Sequence, residues 1–227
     1  MHVISSMATR QVLSDLAAQF ETQTGISIDL ESVGGVDAAR RVAAGEKFDV
    51  VILASTAIDA LIQSGQIRAG SRVDLMQSGV AIAVREGAPS ISISTEDDVK
   101  RAVLEARTLG YSTGPSGVYL AKLFERWGIA ADIQPRVVPA PPGVPVGALV
   151  AKGEAELGFQ QLSELLHVKG ITILGPLPAA IQTTTVFSAG TMTASGKSQV
   201  VKQFLDFVNS PAAVAEKMRH GMMPAEK

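Results

Sequence analysis

The sequence predicts an α/β protein of two lobes, each a mostly parallel sheet flanked by helices. Three observations predict this class. Strand-like and helix-like hydrophobic patterns alternate along the chain from its first residues. The run Asp49–Ala54 is almost wholly apolar, which is typical of a strand buried on both faces. Hydrophobic residues make up 46% of the chain but aromatic residues only 4%, and this mix favours helix-covered parallel strands over an all-β sandwich.

The first part of the chain has the order strand, helix, strand, helix, strand, helix. A short strand at Val3-Ile4 precedes a helix that ends at Gly25. The apolar residues of that helix recur at helical spacing, as Val12, Leu13, Leu16 and Phe20. An alternating strand, a small-residue helix and the apolar run follow, before a helix that Ser55 or Thr56 caps. This order implies a parallel sheet with right-handed crossovers.

Two extended segments predict how the chain passes between the lobes. Residues 75–84 form an extended run, interrupted by a Ser-Gly pair, that leads into the second lobe, and residues 183–189 are β-rich and lead back. Lobe I therefore comprises residues 1–78 and 186–227, and lobe II comprises residues 79–185. The two segments are the crossover strands of the predicted fold.

Composition excludes several function classes. The formal net charge is −2 and no basic stripe with interleaved aromatic residues occurs, so we expect no nucleic-acid partner. Cysteine is absent, which excludes disulfides and thiol catalysis. No apolar run has the length of a membrane span, so we expect no membrane insertion. A strand follows Met1 without an export signal, which predicts a periplasmic protein if a signal has been removed and a cytoplasmic one otherwise. We expect a monomer.

Four places share one pattern, in which a strand ends, small hydroxyl or glycine residues follow, and a helix begins. They are Ser5-Ser6, Gly34-Gly35, Ser55-Thr56 and Ser112–Gly117. The first turn of a helix has unpaired backbone N–H groups and a partial positive charge, and small residues let an anion approach them. Any one of these turns is more often an ordinary cap. Four of them at the carboxyl ends of strands in one α/β chain predict an anion-binding site.

Three arginines follow these turns by about one helical turn. Arg10, Arg40 and Arg41 could each lie on a solvated helix face, or could grip a carboxylate with two hydrogen bonds. Arg40 and Arg41 are adjacent and point in different directions, so at most one of them faces a given site. Arg10 and Arg40 are retained as candidates.

No segment of the sequence matches the motifs that we compared for cofactor binding, metal binding or a nucleophilic serine. The stretch 190–198 resembles a phosphate-binding loop but has five residues between its glycines where the motif needs four. We expect no cofactor. His2, His167 and His220 have no acid at metal-ligand spacing, so we expect surface or structural histidines and no metal site. No Gly-x-Ser-x-Gly nucleophile motif is present.

With these residues in view, the chain resembles the type II periplasmic solute-binding proteins, especially the molybdate-binding-protein-like branch, over nearly its whole length. The resemblance is carried by five segments: Val3–Ser6, Ile28–Gly35, Phe48–Ser55, Gly114–Tyr119 and Phe204–Met222. It implies the bilobal periplasmic-binding-protein-like fold with a ligand in the cleft between the lobes. It also implies an ABC transporter, whose membrane subunits would be partners of the protein.

The departures from that branch bear on the ligand. Molybdate-binding proteins carry a serine in the second glycine turn and a tyrosine near the strand end in the second lobe, where this chain has Gly34-Gly35-Val36 and Phe159-Gln160-Gln161. A side-chain amide both donates and accepts hydrogen bonds, which suits a protonatable or hydroxylated organic acid. The segment 156–166 is similar to the aconitate-isomerase-like branch. That similarity implies proton abstraction and return on a small polycarboxylate.

Two functions therefore remain open at this stage. The first is a solute-binding protein for a small organic (poly)carboxylate or an oxyanion such as molybdate, and the second is an isomerase of a small polycarboxylate. An isomerase needs a base, and Glu31, Asp37 and Asp59 look ordinary, so no catalytic residue is assigned. The predicted ligand-binding residues are Ser5, Ser6, Arg10, Gly34, Gly35, Arg40, Ser55, Thr56, Ser112, Thr113, Ser116, Gln160 and Gln161.

Overall fold

A computed structural model describes residues 1–141 and 143–226 of the chain. Its strands are β1 (His2–Ser6), β2 (Asp29–Val33), β3 (Val50–Ala54), β4 (Val73–Arg85), β5 (Leu109–Tyr111), β6 (Val137–Pro139), β7 (Leu157–Gln161), β8 (Ile171–Pro176), β9 (Thr184–Thr191) and β10 (Met223–Pro224). Its α-helices are α1 (Arg10–Thr24), α2 (Gly35–Ala43), α3 (Ser55–Gln63), α4 (Glu96–Glu105), α5 (Pro115–Arg126), α6 (Ala130–Ile133), α7 (Val146–Lys152), α8 (Leu162–Leu165), α9 (Ser198–Val208) and α10 (Val214–Arg219).

The chain divides into two compact units. Unit 1 comprises Met1–Ser78 and Thr185–Lys227, and unit 2 comprises Gly79–Thr184. Strand β4 contains the first boundary and the start of β9 contains the second. Each unit has its own sheet and its own hydrophobic clusters.

The sheet of unit 1 has the strand order β2-β1-β3-β9, followed by the first half of β4. Strands β1, β2 and β3 are parallel, with Ser5 opposite Ser32 on one side and Ile52 on the other. Strand β9 runs antiparallel to β3, and β10 pairs with β4. Because β1, β2 and β3 are parallel neighbours, their carboxyl ends lie at one edge of the sheet.

Helices cover both faces of this sheet, and the alternation along β3 shows it. Val50 and Ile52 belong to the cluster formed with α1 and α9, whereas Val51 and Leu53 belong to the cluster formed with α2 and α3. All of β3 is buried. The apolar run in the sequence therefore marks a strand buried on both faces, as predicted.

The sheet of unit 2 has the order β8-β4-β7-β5-β6, in which β5, β6 and β7 are parallel. Leu157 and Phe159 of β7 pack in the cluster that α4 and α5 cover. Gly158 faces α7, where a Cβ would come within 2.4 Å of Val150 Cγ2. This glycine lets α7 lie close against β7.

Two local expectations were wrong. Strand β4 runs without interruption through Ser78 and Gly79, because Ser78 Oγ donates to the Gly221 carbonyl and the Gln182 side chain packs beside Gly79. Ala54, and not Ser55 or Thr56, is the N-cap of α3. The α/β class, with parallel strands and helices on both faces, is confirmed. Within the described part of the chain, no helix has both the length and the apolar character of a membrane span.

Candidate ligand-binding site

Six of the eight ligand-binding residues predicted in unit 1 lie at the carboxyl ends of β1, β2 and β3 or at the helix starts that follow. We call this set the unit 1 rim, and its members are Ser5, Ser6, Gly34, Gly35, Ser55 and Thr56. Gly34 and Gly35 begin α2 after β2, and a Cβ on Gly35 would lie 3.7 Å from Ser6 Cβ. The start of α2 therefore lies against the end of β1. Ser55 and Thr56 are the first residues of α3, where Ser55 is half-buried and Thr56 is exposed.

The two adjacent serines of β1 differ in their hydrogen bonds. Ser5 is fully buried, and its Oγ lies 2.7 Å from Ser32 Oγ of the paired strand β2. Ser6 is also buried, but no described group forms a hydrogen bond with its Oγ. A buried hydroxyl without a partner costs about 1–3 kcal/mol, so such groups are normally met by a ligand or by water. Ser6 Oγ is therefore the strongest ligand-binding candidate in unit 1.

Replacing this hydroxyl separates its structural effect from its effect on binding. In Ser6→Ala, we expect the free energy of unfolding of the ligand-free protein to rise by about 1 kcal/mol, because the unpartnered group is removed. Ligand affinity should fall about tenfold. The control Ser5→Ala breaks the bond to Ser32 and should lower the free energy of unfolding by about 1 kcal/mol. Urea denaturation with calorimetric binding measures both quantities, and equal destabilisation by the two changes would refute the expectation.

Three helix starts at the predicted turns lack a side-chain cap. The N-caps are Gly34 for α2, Ala54 for α3 and Gly114 for α5, and none makes a side-chain hydrogen bond to the first turn. By contrast, Thr95 caps α4, where its Oγ1 accepts from the Asp98 amide at 3.1 Å. The first-turn amides of α2, α3 and α5 therefore have no side-chain partner at the N-cap, and the start of α2 lies against Ser6.

The arginine candidates lie on exposed positions. Arg10 begins α1 and lines a cavity of about 680 Å³ beside β2, together with Glu21, Asp29 and Glu31. Arg40 pairs with Asp37 one turn earlier on α2, at 2.8 Å. Asp37 therefore competes with an anionic ligand for the Arg40 guanidinium, and the carboxylates that line the cavity with Arg10 disfavour an anion there. The ligand-binding roles of Arg10 and Arg40 stay predictions.

Arg41 has a structural role instead. Its guanidinium pairs with both Glu31 and Glu46, and it lies 5.5 Å from the centre of the Phe48 ring. Hydrogen bonds from Arg41 lower the pKa of both carboxyl groups. This network joins α2 to β2. Because the pairing with Arg41 lowers the pKa of Glu31, that carboxyl group is poorly suited to act as a base.

In unit 2, the turn after β5 folds back on the first turn of α5. Ser112 Oγ accepts from the Gly114 amide at 3.3 Å and lies 3.2 Å from Ser116 Oγ. Ser116 is buried, whereas Thr113 is exposed. A Cβ on Gly117 would lie 1.4 Å from the Ser112 carbonyl oxygen, so only glycine permits this turn.

The second part of the unit 2 site is the end of β7, which is parallel to β5 and adjacent to it. We call the combined set the unit 2 rim, and its members are Ser112, Thr113, Ser116, Gln160 and Gln161. Gln160 and Gln161 are each 3% exposed. Gln160 Nε2 donates to Glu164 Oε1 at 3.0 Å, while no described group donates to Gln160 Oε1.

Two residues beyond the rim were missed by the sequence analysis. Ser163 is 4% exposed and its Oγ has no partner among the described residues. Glu164 is half-buried, and burial raises the pKa of its carboxyl group to about 7 although the hydrogen bond from Gln160 lowers it. The spacing of four between Gln160 and Glu164 is the one signal in the sequence that could have indicated this contact.

The expectation that no acid lies at metal-ligand spacing from a histidine is wrong for His220, since Glu216 lies four residues before it on the same side of the helix. Its Nε2 lies 2.9 Å from Asp15 Oδ2 and 3.0 Å from Glu216 Oε1. Arg219 pairs with both carboxylates as well. The contact with His220 lowers the pKa of Asp15. This network joins α10 to α1, and both of its carboxylates already pair with the Arg219 guanidinium.

Open helix N-termini and small hydroxyl residues at the carboxyl ends of parallel strands are the features with which open α/β folds bind small solutes. The chain belongs to the bacterial extracellular solute-binding protein family, whose sequence pattern it matches over residues 1–223. It is 38% identical over 230 residues to an aconitate isomerase of Pseudomonas sp., covering 98% of this chain and 87% of that protein.

Molybdate-binding proteins are more distant relatives. The chain is 21% identical over 228 residues to molybdate-binding protein ModA of Escherichia coli strain K12, covering 96% of this chain and 87% of ModA. The solved structure of the periplasmic molybdate-binding protein of Azotobacter vinelandii matches with a TM-score of 0.82 and 21% identity, covering the whole of both chains. The second likeness shows a shared fold. The resemblance stated from the sequence is confirmed.

Proposed function

We propose that this protein binds a small organic polycarboxylate that carries a proton or a hydroxyl group. The observation that carries this proposal is the buried Gln160 Oε1, which can only accept a hydrogen bond and has no donor among the described residues. A fully ionised oxyanion such as molybdate offers acceptors alone and would leave this oxygen unpaired. A hydroxyl or a protonated carboxyl group would satisfy it, while carboxylate oxygens would accept from Ser163 Oγ and from the first-turn amides of α5 in the same unit.

A comparison of ligands tests this proposal. Citrate, cis-aconitate and trans-aconitate are compared with molybdate, tungstate and sulfate by thermal unfolding and calorimetry. At a ligand concentration about 100 times Kd, the stabilisation is about 2.7 kcal/mol. For a chain of this length we expect the better tricarboxylate to raise Tm by about 5–10 °C. Stabilisation by molybdate or tungstate alone would contradict the proposal.

Isomerisation of a small polycarboxylate is the second candidate function. The aconitate isomerase relative favours it, since its similarity extends over 98% of this chain. The contact between Gln160 and Glu164 favours it as well, because it supplies an acid–base group of the kind that the sequence analysis could not assign. A binding protein and an isomerase need the same carboxylate contacts and differ in whether a proton moves.

Location and partners are proposed from the family. Its description as extracellular supports a site of action in the periplasm, and its class supports cooperation with the membrane subunits of an ABC transporter. We propose that the protein acts as a monomer. Size-exclusion chromatography with light scattering, with and without trans-aconitate, tests the monomer proposal.

A further inference from the structure

Glu164 occupies a defined place at the end of β7. It belongs to the short helix α8, which follows directly from Gln160 and Gln161. Its Oε1 accepts from Gln160 Nε2 at 3.0 Å, which leaves the other carboxyl oxygen for a second contact. The residue after it, Leu165, is fully buried against Ala81 and Ala83 of β4. Leu165 therefore anchors α8 against the sheet, and the hydrogen bond from Gln160 orients the Glu164 carboxyl group.

Charged neighbours do not account for the properties of Glu164. The elements that pack against α8 are α7, β7, β4 and β8, and their titratable residues within unit 2 are Lys152 and Arg85. Neither is among the influences on the pKa of Glu164, which are burial and the hydrogen bond from Gln160. His167 and Lys169 follow along the chain and are exposed. Burial is the main influence on this carboxyl group, and it raises the pKa to about 7.

A carboxyl group of this kind suits proton transfer near neutral pH. A general base must be deprotonated when it takes a proton and must hold that proton long enough to return it, so its pKa should lie close to the working pH. An ordinary glutamate has a pKa of about 4.3 and is a poor carrier at neutral pH. Glu164 meets this condition, and it is half-buried, so part of the group remains accessible.

Two buried polar atoms beside Glu164 indicate that a ligand binds there. Gln160 Oε1 and Ser163 Oγ are both without a partner among the described residues, and both residues are more than nine-tenths buried. They precede Glu164 on the same short stretch of chain. A ligand that donated to Gln160 Oε1 would be held next to the carboxyl group, because the same amide donates to Glu164 Oε1, and the acid–base role requires this proximity.

We propose that Glu164 is the catalytic acid–base residue that moves a proton on the bound polycarboxylate. This proposal rests on the second candidate function. The Glu164 carboxylate takes a proton from a methylene carbon next to a carbon–carbon double bond and a carboxyl group, and the C–H electron pair enters the conjugated system. The Glu164 carboxyl group then gives the proton to the far carbon of that system. The double bond shifts by one position, and nothing is oxidised or reduced.

The test combines one isosteric change with a conservative one and a matched control. Glu164→Gln keeps an oxygen that can accept from Gln160 but cannot carry the proton, and Glu164→Asp keeps an acid on a shorter side chain. Glu125→Gln changes an exposed glutamate of α5 in the same unit. Interconversion of cis- and trans-aconitate is followed by proton NMR, exchange of the methylene proton is followed in D₂O, and binding of trans-aconitate is measured by calorimetry.

We expect Glu164→Gln to slow isomerisation and methylene exchange by about 100-fold or more, because general base catalysis contributes about 100- to 10,000-fold. Its Kd for trans-aconitate should stay within about threefold of the wild type, since a merely structural role would weaken binding more. Glu164→Asp should retain part of the rate, with a shifted pH profile, and Glu125→Gln should behave as the wild type.

Three results would overturn the assignment. If Glu164→Gln isomerises at the wild-type rate with an unchanged pH profile, another residue carries the proton and the isomerase function stands. If Glu164→Gln does not fold, the test uses Glu164→Asp. An unshifted pH profile of isomerisation in that variant would also mean that another residue carries the proton. If the wild type binds trans-aconitate but neither isomerises it nor exchanges its protons, the isomerase function falls together with this assignment, and the binding function remains.

Discussion

Gly117→Ala should be among the most damaging single substitutions in unit 2. The new Cβ would lie 1.4 Å from the Ser112 carbonyl oxygen, a backbone atom that cannot move aside without opening the turn. We expect the free energy of unfolding to fall by about 3 kcal/mol, at the upper end of the usual cost of overpacking. For a chain of this size, Tm should fall by about 10 °C. Thermal and urea unfolding measure both changes.

The same substitution should impair ligand binding. Opening the turn would separate Ser112 Oγ from Ser116 Oγ and from the Gly114 amide, so the donors of the unit 2 rim would lose their arrangement. Gly114→Ala is the matched control, because its Cβ would meet Ser112 Oγ at an ordinary 3.6 Å. That control should change the free energy of unfolding by about 1 kcal/mol or less. Equal effects of the two alanines would show that the turn tolerates a side chain at position 117.

Much of the fold could be predicted from the sequence because the hydrophobic pattern follows from burial. The apolar residues of β3 fill clusters on both faces of the unit 1 sheet, and the spacing of Leu13, Leu16 and Phe20 places all three of them in one core. The predicted parallel order of the strands also predicts where the rims lie. In a parallel sheet the carboxyl ends of neighbouring strands share an edge, so the turns after β1 and β2 had to lie together.

The sequence could not show which polar atoms have partners. Ser5 and Ser6 are the same residue type at adjacent positions. Only the register of β1 with β2 places Ser32 where it can bond to Ser5 Oγ, and Ser6 Oγ is left without a partner among the described residues. No role was assigned to Glu164 from the sequence. Its perturbed pKa depends on burial of α8 against the sheet, which no local pattern of residues reports.

Lys217 is another residue whose environment the sequence conceals. It lies on α10 and is 2% exposed, and its Nζ donates to the Leu75 carbonyl at 2.6 Å and to Asn209 Oδ1 at 3.2 Å. Both acceptors are uncharged, so burial lowers the pKa of this amine to about 8. The folded protein therefore holds Lys217 neutral above about pH 8, whereas the unfolded chain holds it charged up to about pH 10.

This difference predicts a large pH dependence of stability. Between about pH 8 and about pH 10 the unfolded state binds more protons than the folded state, so the Lys217 contribution to the free energy of unfolding rises with pH across that window. The rise amounts to at most about 3 kcal/mol, because one unit of pKa difference corresponds to about 1.4 kcal/mol. Below the window the penalty of burying the charged amine is fully present.

Lys217→Met isolates this contribution. Methionine fills the same space without a titratable group, so the free energy of unfolding of the variant should rise less than that of the wild type between about pH 8 and about pH 10. Lys47→Met removes an exposed lysine of the same unit and should follow the wild-type curve. Urea denaturation at a series of pH values measures the free energy of unfolding of each protein. In the difference between variant and wild type, the contributions of the titrating groups that both proteins share cancel. Parallel curves for Lys217→Met and the wild type would mean that the buried amine does not lose its proton in the folded protein.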